Sequence, residues 1–306
     1  MKALLAIAAA LLAPALHAAS FDCAKASTRV EKAICASPAL GKLDEDVAAA
    51  YAAARAGLDD TWRARLLRSQ REWLASRVPS AQLADDLDRR LRILQGSRVS
   101  VGGVPFLRLS DDARPMYVLG NAPGAPAYNQ WVDSIWLAAV GETTEIRQGT
   151  DACPSGRRDD CEADSTARAY ATSVPSPGLL SVSEKVISYE QGAAHPEVDL
   201  KVHDWWLSRA GRVRLDDIFT GAGWKPVIAK AARAIVKKEN DRLQVDADAI
   251  DSVATIDDWK LTATALVFTM DGYQFNLGRG LWEVEVPWKD FGASLRPEFA
   301  AALGLH

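Results

Sequence analysis

The sequence pattern changes from helix-like to strand-like within residues 83–101, which read LADDLDRRLRILQGSRVSV. Leu83, Leu87, Leu91 and Leu94 recur at roughly the 3.6-residue period of an amphipathic helix. Gly96 ends that pattern. From there on, short apolar runs alternate with Gly, Pro and Asn turns, which is typical of strands. The sequence therefore predicts a helical segment before Gly96 and a sheet-containing segment after it.

The helical prediction extends back to about residue 21, because Pro and Gly are sparse over residues 21–95. Further apolar stripes at helical spacing are formed by Leu40, Leu43, Val47, Ala50, Tyr51 and Ala54, and then by Trp62, Leu66, Trp73 and Leu74. Breaks occur at Gly57 with Asp59-Asp60-Thr61 and at Val78-Pro79-Ser80. Such short breaks predict helices that pack as antiparallel neighbours.

The second part of the chain predicts strands with one clear helix, Lys225–Asn240. The predicted strands are Val104–Leu109, Met116–Leu119, Trp131–Val140, Leu179–Glu190, Val198–Leu207, Arg212–Leu215, Lys260–Thr269, Tyr273–Phe275 and Trp282–Val286. Runs of strands with few helices indicate an α+β protein and not a doubly wound parallel sheet. We predict a helical module at 20–95 and a mixed α/β sheet domain at 100–306.

The first residues have the layout of a cleaved secretory signal. Lys2 is followed by an apolar run from Ala3 to Leu16 and by the small residues Ala18-Ala19-Ser20. The run is too short to span a bilayer comfortably. We expect residues 1–19 to be removed, and the mature protein to be periplasmic or secreted.

The four cysteines fit an oxidising compartment, because they fall into two local pairs. Local pairing gives Cys23 with Cys35 and Cys153 with Cys161, although four cysteines allow three connectivities. A zinc site is the alternative, but neither pair has the two-residue gap of a zinc knuckle. Residues 149–165, which hold the second pair, are polar and are predicted to form a surface loop.

Composition excludes several classes of protein. The 306 residues are 48% hydrophobic and 25% charged with a net charge of −4, which is ordinary for a globular protein and does not favour nucleic-acid binding. The chain has neither a Gly-x-Ser-x-Gly elbow nor a His-Glu-x-x-His helix nor a phosphate-binding Gly-rich loop. We therefore predict no catalytic residue, no cofactor and no resident metal.

The most distinctive loop sequence is Tyr189-Glu190-Gln191-Gly192-Ala193-Ala194-His195-Pro196. Its small residues permit close approach of another surface, and His195 can exchange hydrogen bonds with a partner. We take Tyr189, Gly192, His195 and Pro196 as candidate partner-binding residues. The alternatives are a structural hairpin, and a metal site shared with His203.

Ten tryptophans are a high number for this length. Most lie on predicted helical stripes or strands and are expected in the core. Trp131, Trp206, Trp224 and Trp288, which stand near turns or on opposite strand faces, are the candidates for an exposed binding surface.

Residues 21–95 resemble the LprI-type lysozyme-inhibitor domain. The resemblance rests on Phe21-Asp22-Cys23, Val30-Glu31-Lys32-Ala33-Ile34-Cys35, Pro38-x-Leu40-x-x-Leu43-Asp44, Ala50-Tyr51 and Gln70-Arg71-x-Trp73-Leu74. It implies a small, helical, disulfide-bonded module of an exported bacterial protein. A second cysteine pair is common in that family, but Arg77–Ser80 and Asp85–Leu87 hold none here.

Residues 100–300 are similar to the RsiV-type extracellular domain, which also occurs beside peptidoglycan deacetylases. The similarity rests on the 189–196 hairpin, Arg212–Phe219, Trp259-x-Leu261-Thr262, Leu266-Val267-Phe268, Tyr273 and Val284-x-Val286-Pro287-Trp288. It implies a mixed α/β sheet domain, and one member type binds lysozyme. The usual Gly-Gly-Ala-His-Pro-Asn turn is Gly192-Ala193-Ala194-His195-Pro196-Glu197 here.

Together the two resemblances imply a non-enzymatic exported protein that binds or inhibits lysozyme-like muramidases, or binds the peptidoglycan that they cut. The net negative charge would steer such a protein toward cationic lysozymes. The alternatives are a structural or assembly protein of the envelope and an accessory to peptidoglycan-modifying enzymes. No nucleic-acid partner and no membrane insertion after signal cleavage are expected.

Overall fold

A computed structural model describes residues 19–111, 114–142, 165–189, 197–239, 259–271 and 281–305. The chain divides into two compact units, Met1–Ser97 and Arg98–His306. The division falls directly after Gly96, where the sequence pattern changes. No helix among the described residues is both long and apolar enough to cross a membrane.

The first unit is a helical module. After a short 3-10 turn, Cys23–Lys25, it contains α1 (Arg29–Ala36), α2 (Pro38–Arg55), α3 (Asp60–Ser76) and α4 (Leu83–Gln95). Its apolar core includes Ile34, Val47, Leu66, Leu87 and Leu94, each contributed by the inward stripe of its helix. The helical part of the sequence prediction is therefore confirmed.

Local sequence fixes where three of these helices begin. Thr28 caps α1 in a reciprocal capping box with Glu31, whose carboxylate accepts from the Thr28 N–H at 2.8 Å. Ser37 caps α2, which has Pro38 in its first turn, and the Asp59 carboxylate caps α3 by accepting from the Trp62 N–H at 3.0 Å. Each cap satisfies a backbone N–H that has no partner within the helix.

A disulfide joins Cys23 to Cys35, with 5.8 Å between the Cα atoms. It ties the segment before α1 to the end of that helix and so confirms the first predicted pair. Cys153 and Cys161, with their predicted loop at 149–165, lie outside the described residues.

Among its described residues, the second unit forms three antiparallel sheets. The first has strands β1 (Arg98–Val101), β2 (Val104–Leu107) and β3 (Tyr117–Val118). The second has β4 (Ser165–Ser176), β5 (Leu179–Tyr189), β6 (Glu197–Trp206) and β7 (Gly211–Arg212), in that order. The third has β8 (Trp259–Leu261), β9 (Ala265–Asp271) and β10 (Leu281–Pro287), with β9 in the centre.

Within the described ranges, these sheets are accompanied by the helices α5 (Ala125–Glu142), α6 (Leu215–Ile218), α7 (Lys225–Glu239), α8 (Trp288–Phe291) and α9 (Pro297–Leu303). The main core lies where α7, α9 and the third sheet meet, and it is rich in aromatic rings. Trp259, Trp288, Phe219, Phe268 and Phe299 are fully buried there. This helix-plus-antiparallel-sheet architecture confirms the predicted α+β class.

One predicted strand is wrong. Residues 131–140 belong to α5, in which Tyr128, Val132 and Trp136 are buried one helical turn apart. The β-branched and aromatic residues suggested a strand, but they have a period of four. Asn129 reinforces the helix by donating to the Val118 carbonyl and accepting from the Val118 N–H, both at 2.9 Å.

Other differences are smaller. The predicted strand Lys260–Thr269 is the hairpin β8–β9, whose turn is held by the Thr262 hydroxyl accepting from the Ala265 N–H at 2.9 Å. Leu215 begins α6 and does not end a strand. Strands β1 and β4 and helices α6, α8 and α9 were not predicted. Residue 240 and the predicted strand Tyr273–Phe275 lie outside the described residues.

Candidate functional site

A buried cation joins helices α3 and α4 of the helical module. Arg90 on α4 is 3% exposed and donates through Nε and Nη2 to Gln70 Oε1, at 2.9 and 2.8 Å. Its Nη1 donates to the Ser69 hydroxyl at 3.2 Å, and its guanidinium lies 5.6 Å from the Trp73 ring centre. Burial lowers the pKa of Arg90 to about 10, so the group stays charged at neutral pH.

A second arginine covers the same indole. The Arg77 guanidinium lies 4.8 Å from the Trp73 ring centre, and its Nη1 is 3.8 Å from Asp44 Oδ1 on α2. Burial lowers the pKa of Arg77, while the Asp44 charge opposes that shift. Asp44 also accepts from the Ser20 N–H and hydroxyl, at 2.9 and 2.5 Å.

Three of the residues that carry the LprI resemblance therefore act inside the module. Asp44, Gln70 and Trp73 each contact a buried or half-buried arginine and so connect α2, α3 and α4. Their role is to hold the helices together. Arg71 and Leu74, which belong to the same motif, are instead exposed.

Exposed apolar side chains run along the outer side of α3. Leu67 and Leu74 are 39% and 42% exposed, and Val78, just after the helix, is 59% exposed. Leu67, Arg71 and Leu74 have helical spacing on α3, and Val78 follows two residues after the helix ends. We call these four residues the α3 stripe. Among the described residues, the remaining large hydrophobic side chain with comparable exposure is Val198, in the other unit, at 40%. A row of exposed apolar side chains is typical of a protein-binding surface.

A shallow depression adjoins the end of this stripe. It has a volume of about 280 Å³ and lies between the end of α3 and the start of α4. Val78 and Leu83 form its apolar part, and Asp85, Asp86 and Arg89 form its charged part. The stripe and the depression together offer an apolar contact with a polar edge, which is the composition of many protein interfaces.

Sequence reasoning missed this surface. Leu74 was placed on the buried stripe with Trp62, Leu66 and Trp73, and Leu67 was not selected at all. A helical wheel would have revealed this surface. Leu67 is turned by 100° from the fully buried Leu66, and Leu67 and Leu74 lie on the same side of α3. Val78 was interpreted only as part of a helix break.

Most of the residues that the sequence predicts for partner binding lie outside the described part of the chain. Tyr189 ends β5, whereas Gly192, His195 and Pro196 lie outside the described residues. Their role in partner binding therefore stays a prediction. Within the described part of the chain, no group of three or more His, Cys, Asp or Glu side chains is placed to hold a metal ion.

Three of the four tryptophans proposed for the surface are in the core. Trp206, Trp224 and Trp288 are buried, so that prediction was wrong for them. Trp288 also donates its indole N–H to the Thr262 carbonyl at 2.9 Å, which satisfies its polar edge inside the core. Trp131 is half-buried on α5 and stacks on His203, with 4.7 Å between ring centres.

His203 belongs to a polar cluster on one face of the second sheet. Glu184 on β5 accepts from Arg168 Nη1 at 2.7 Å and from the Tyr170 hydroxyl at 3.1 Å, and its Oε2 is 3.0 Å from His203 Nε2. Burial alone would raise the pKa of Glu184, but the hydrogen bonds from His203, Arg168 and Tyr170 outweigh it and lower the pKa. This cluster links three neighbouring strands, β4, β5 and β6.

Replacing Glu184 with glutamine should destabilise the sheet unit by about 2 kcal/mol at pH 7, because the charge-assisted hydrogen bonds are lost. The pKa of Glu184 is lowered in the folded protein. The ionised carboxylate therefore stabilises the fold above the unfolded pKa, about 4.3, and this stabilisation is lost as the pH falls below it.

Urea unfolding of both proteins at pH 7 and at about pH 3 measures this difference. The difference in the free energy of unfolding between Glu184→Gln and the parent protein should be smaller at the lower pH. Glu285→Gln on β10, which changes an exposed side chain, is the matched control. A gap of equal size at both pH values would show that the Glu184 charge is not the stabilising element.

Formal charge is distributed unevenly along the sequence. Residues 22–98 hold 14 Lys and Arg against 11 Asp and Glu, whereas residues 99–306 hold 21 against 29. The net negative charge therefore belongs to the second part of the chain. The expectation that overall charge draws the protein toward a cationic lysozyme does not apply to the helical module itself.

Comparison with known proteins identifies the helical part. Residues 22–98 match the model of the family described as lysozyme inhibitor LprI. The match spans the disulfide, the Asp44–Arg77 and Gln70–Arg90 contacts and the whole α3 stripe. No curated protein matches the chain.

Solved structures similar to this chain include two of the DUF3298 family. One, from Pseudomonas aeruginosa PAO1, is 17% identical, with a TM-score of 0.35 over 44% of this chain and 65% of that one. The other, from Bacteroides fragilis NCTC 9343, is 13% identical, with a TM-score of 0.37 over 61% of this chain and 75% of that one. The chain thus spans less than two thirds of the first structure. Neither carries the RsiV name, so the RsiV-type resemblance of residues 100–300 stays a prediction.

Proposed function

We propose that this protein is exported from the cytoplasm and binds a lysozyme-type muramidase through the α3 stripe of its helical module, thereby slowing that enzyme. The observation that carries the proposal is the match of residues 22–98 to a lysozyme-inhibitor family. That family is one of inhibitors, which is consistent with a protein that is not itself an enzyme.

The module is built as a rigid support for such a contact. The disulfide closes its first segment, and the contacts of Arg77 and Arg90 with Asp44, Gln70 and Trp73 tie α3 to its neighbours. An ordered surface loses less conformational entropy when it binds a partner. The disulfide also fits an extracytoplasmic location, since such bonds persist in oxidising compartments.

The chemistry of the stripe indicates how the contact forms. Leu67, Leu74 and Val78 present apolar surface, and Arg71 lies between them with a stem that can extend that surface. The module has a small positive formal charge, so the contact itself has to depend on apolar burial and shape. The acidic second part of the chain can still speed the approach of a cationic enzyme over longer distances.

Lysis of a peptidoglycan suspension by lysozyme tests this function. The mature protein, added in micromolar excess, should slow the loss of turbidity markedly, because an enzyme whose cleft is covered cannot reach the glycan strands. Heat-unfolded protein with its disulfide reduced is the control for nonspecific effects. Undiminished lysis by every lysozyme of a small panel would exclude inhibition as the function.

A further inference from the structure

The sheet unit contains a cavity that lysozyme binding does not use. It has a volume of about 960 Å³ and lies between the β6–β7 hairpin, α6 and the start of β8. This volume falls in the range of cavities that hold small molecules. Asp204, Trp206, Arg212 and Trp259 are among the residues that line it.

Asp204 supplies an acceptor inside this cavity. Within the described part of the chain, its Oδ1 has no hydrogen-bond partner. Burial raises the pKa of Asp204 to about 7, although the Leu261 N–H and the Arg212 charge oppose that shift. A buried carboxylate oxygen without a donor is unfavourable, and a hydroxyl supplied by a ligand would satisfy it. Rotation about the soft Cβ–Cγ bond of aspartate is enough to turn an oxygen toward that hydroxyl.

Arginines form the positive part of the cavity wall. Arg209, Arg212 and Arg214 line it and are exposed. Arg212 Nη2 donates to the Val202 carbonyl at 3.0 Å, and the Arg209 guanidinium lies 3.9 Å from the Trp206 ring centre. These contacts hold two guanidinium groups in place, and a held guanidinium is well suited to bind a carboxylate with two parallel hydrogen bonds.

Two acidic residues on the same wall limit which anions fit. Asp216 and Asp217 of α6 also line the cavity, and Asp217 Oδ2 accepts from the Arg214 N–H at 2.8 Å. The wall is therefore of mixed charge and does not form a general anion site. A ligand has to place its anionic group at the guanidinium groups and its hydroxyl groups near the carboxylates.

We propose that this cavity binds a small hydroxylated carboxylic acid, such as an acidic saccharide, whose carboxylate pairs with Arg212 and whose hydroxyl group donates to Asp204. The inference concerns the sheet unit alone and holds whether or not the helical module binds lysozyme.

The indole N–H resonance of Trp259 offers a direct test, because this ring lines the cavity. The mature full-length protein, labelled with ¹⁵N-tryptophan, is titrated with N-acetylmuramic acid and glucuronic acid, and with N-acetylglucosamine and glucose as the matched neutral sugars. A Trp259→Phe variant assigns the resonance. We expect both acids to shift it with a dissociation constant of about 1 mM, and the neutral sugars to leave it in place.

Variants then test the assigned residues. Arg212→Gln should lower the affinity for both acids about tenfold or more. Arg233→Gln changes an exposed side chain on α7 away from the cavity, and it should leave the affinity unchanged within about twofold. No shift with either acid up to about 20 mM would overturn the proposal. So would equal shifts with the neutral sugars or with inorganic phosphate, since either result means that an acidic saccharide is not what the cavity recognises.

Discussion

Replacing Arg90 with leucine is expected to lower the free energy of unfolding of the helical module by about 3 kcal/mol. Leucine can fill part of the space of the aliphatic stem, but Gln70 Oε1 then loses both of its donors from Arg90 inside the module. The contact of the guanidinium with the Trp73 ring is lost as well. Because α3 and α4 are joined through these groups, both helices should open more often.

Hydrogen exchange measured by mass spectrometry on the full-length protein resolves this effect, since it reports on each unit separately. Amides of α3 and α4 should exchange about 100-fold faster in Arg90→Leu under native conditions, while those of β5 and β9 should be unaffected. Arg92→Leu on the same helix is the matched control: Arg92 is exposed and pairs with Asp88 at the surface, so its loss should cost no more than about 0.5 kcal/mol. Equal effects of the two substitutions would contradict the role given to Arg90.

The double change Leu67→Gln and Leu74→Gln is expected to weaken lysozyme binding about 30-fold or more, because it removes the two apolar side chains at the centre of the α3 stripe. Both side chains are exposed and glutamine is a good helix former, so the stability of the module should change by less than about 0.5 kcal/mol. The loss of inhibition in the turbidity assay measures the effect.

Val198→Thr provides the comparison for this pair. Val198 has similar exposure but lies on β6 of the other unit, and threonine keeps its branched shape. The Val198→Thr variant should inhibit lysozyme to the same extent as the parent protein. If Val198→Thr weakens inhibition as much as the double change, then exposed apolar surface in general, and not the α3 stripe, is responsible.

The helical module could be predicted well because its signals are local. Helical spacing, capping residues and the proximity of Cys23 to Cys35 all act within a few turns of chain. What could not be predicted was the direction in which particular side chains face. Leu74 was assigned to the buried side, and Arg90 was not recognised as buried, because arginine is usually exposed and its partners Ser69 and Gln70 are about twenty residues away.

The sheet unit was harder because its packing overrides local preference. The tract 131–140 has the composition of a strand, yet burial of Tyr128, Val132 and Trp136 on one side makes it a helix. The cavity wall shows the same limit: Arg212 was noted as the start of a strand and as part of the RsiV-type resemblance, and nothing in the sequence places Asp204 beside it. Asp204, Arg212 and Trp259 come together only through the pairing of β6, β7 and β8 with their neighbours.

Calorimetric titration of the mature protein into a small panel of lysozymes tests the central claim most directly. We expect one-to-one binding to at least one lysozyme with a dissociation constant of about 1 µM or lower. We also expect a negative heat-capacity change, because the contact buries apolar surface. An absence of binding across the panel would contradict the account.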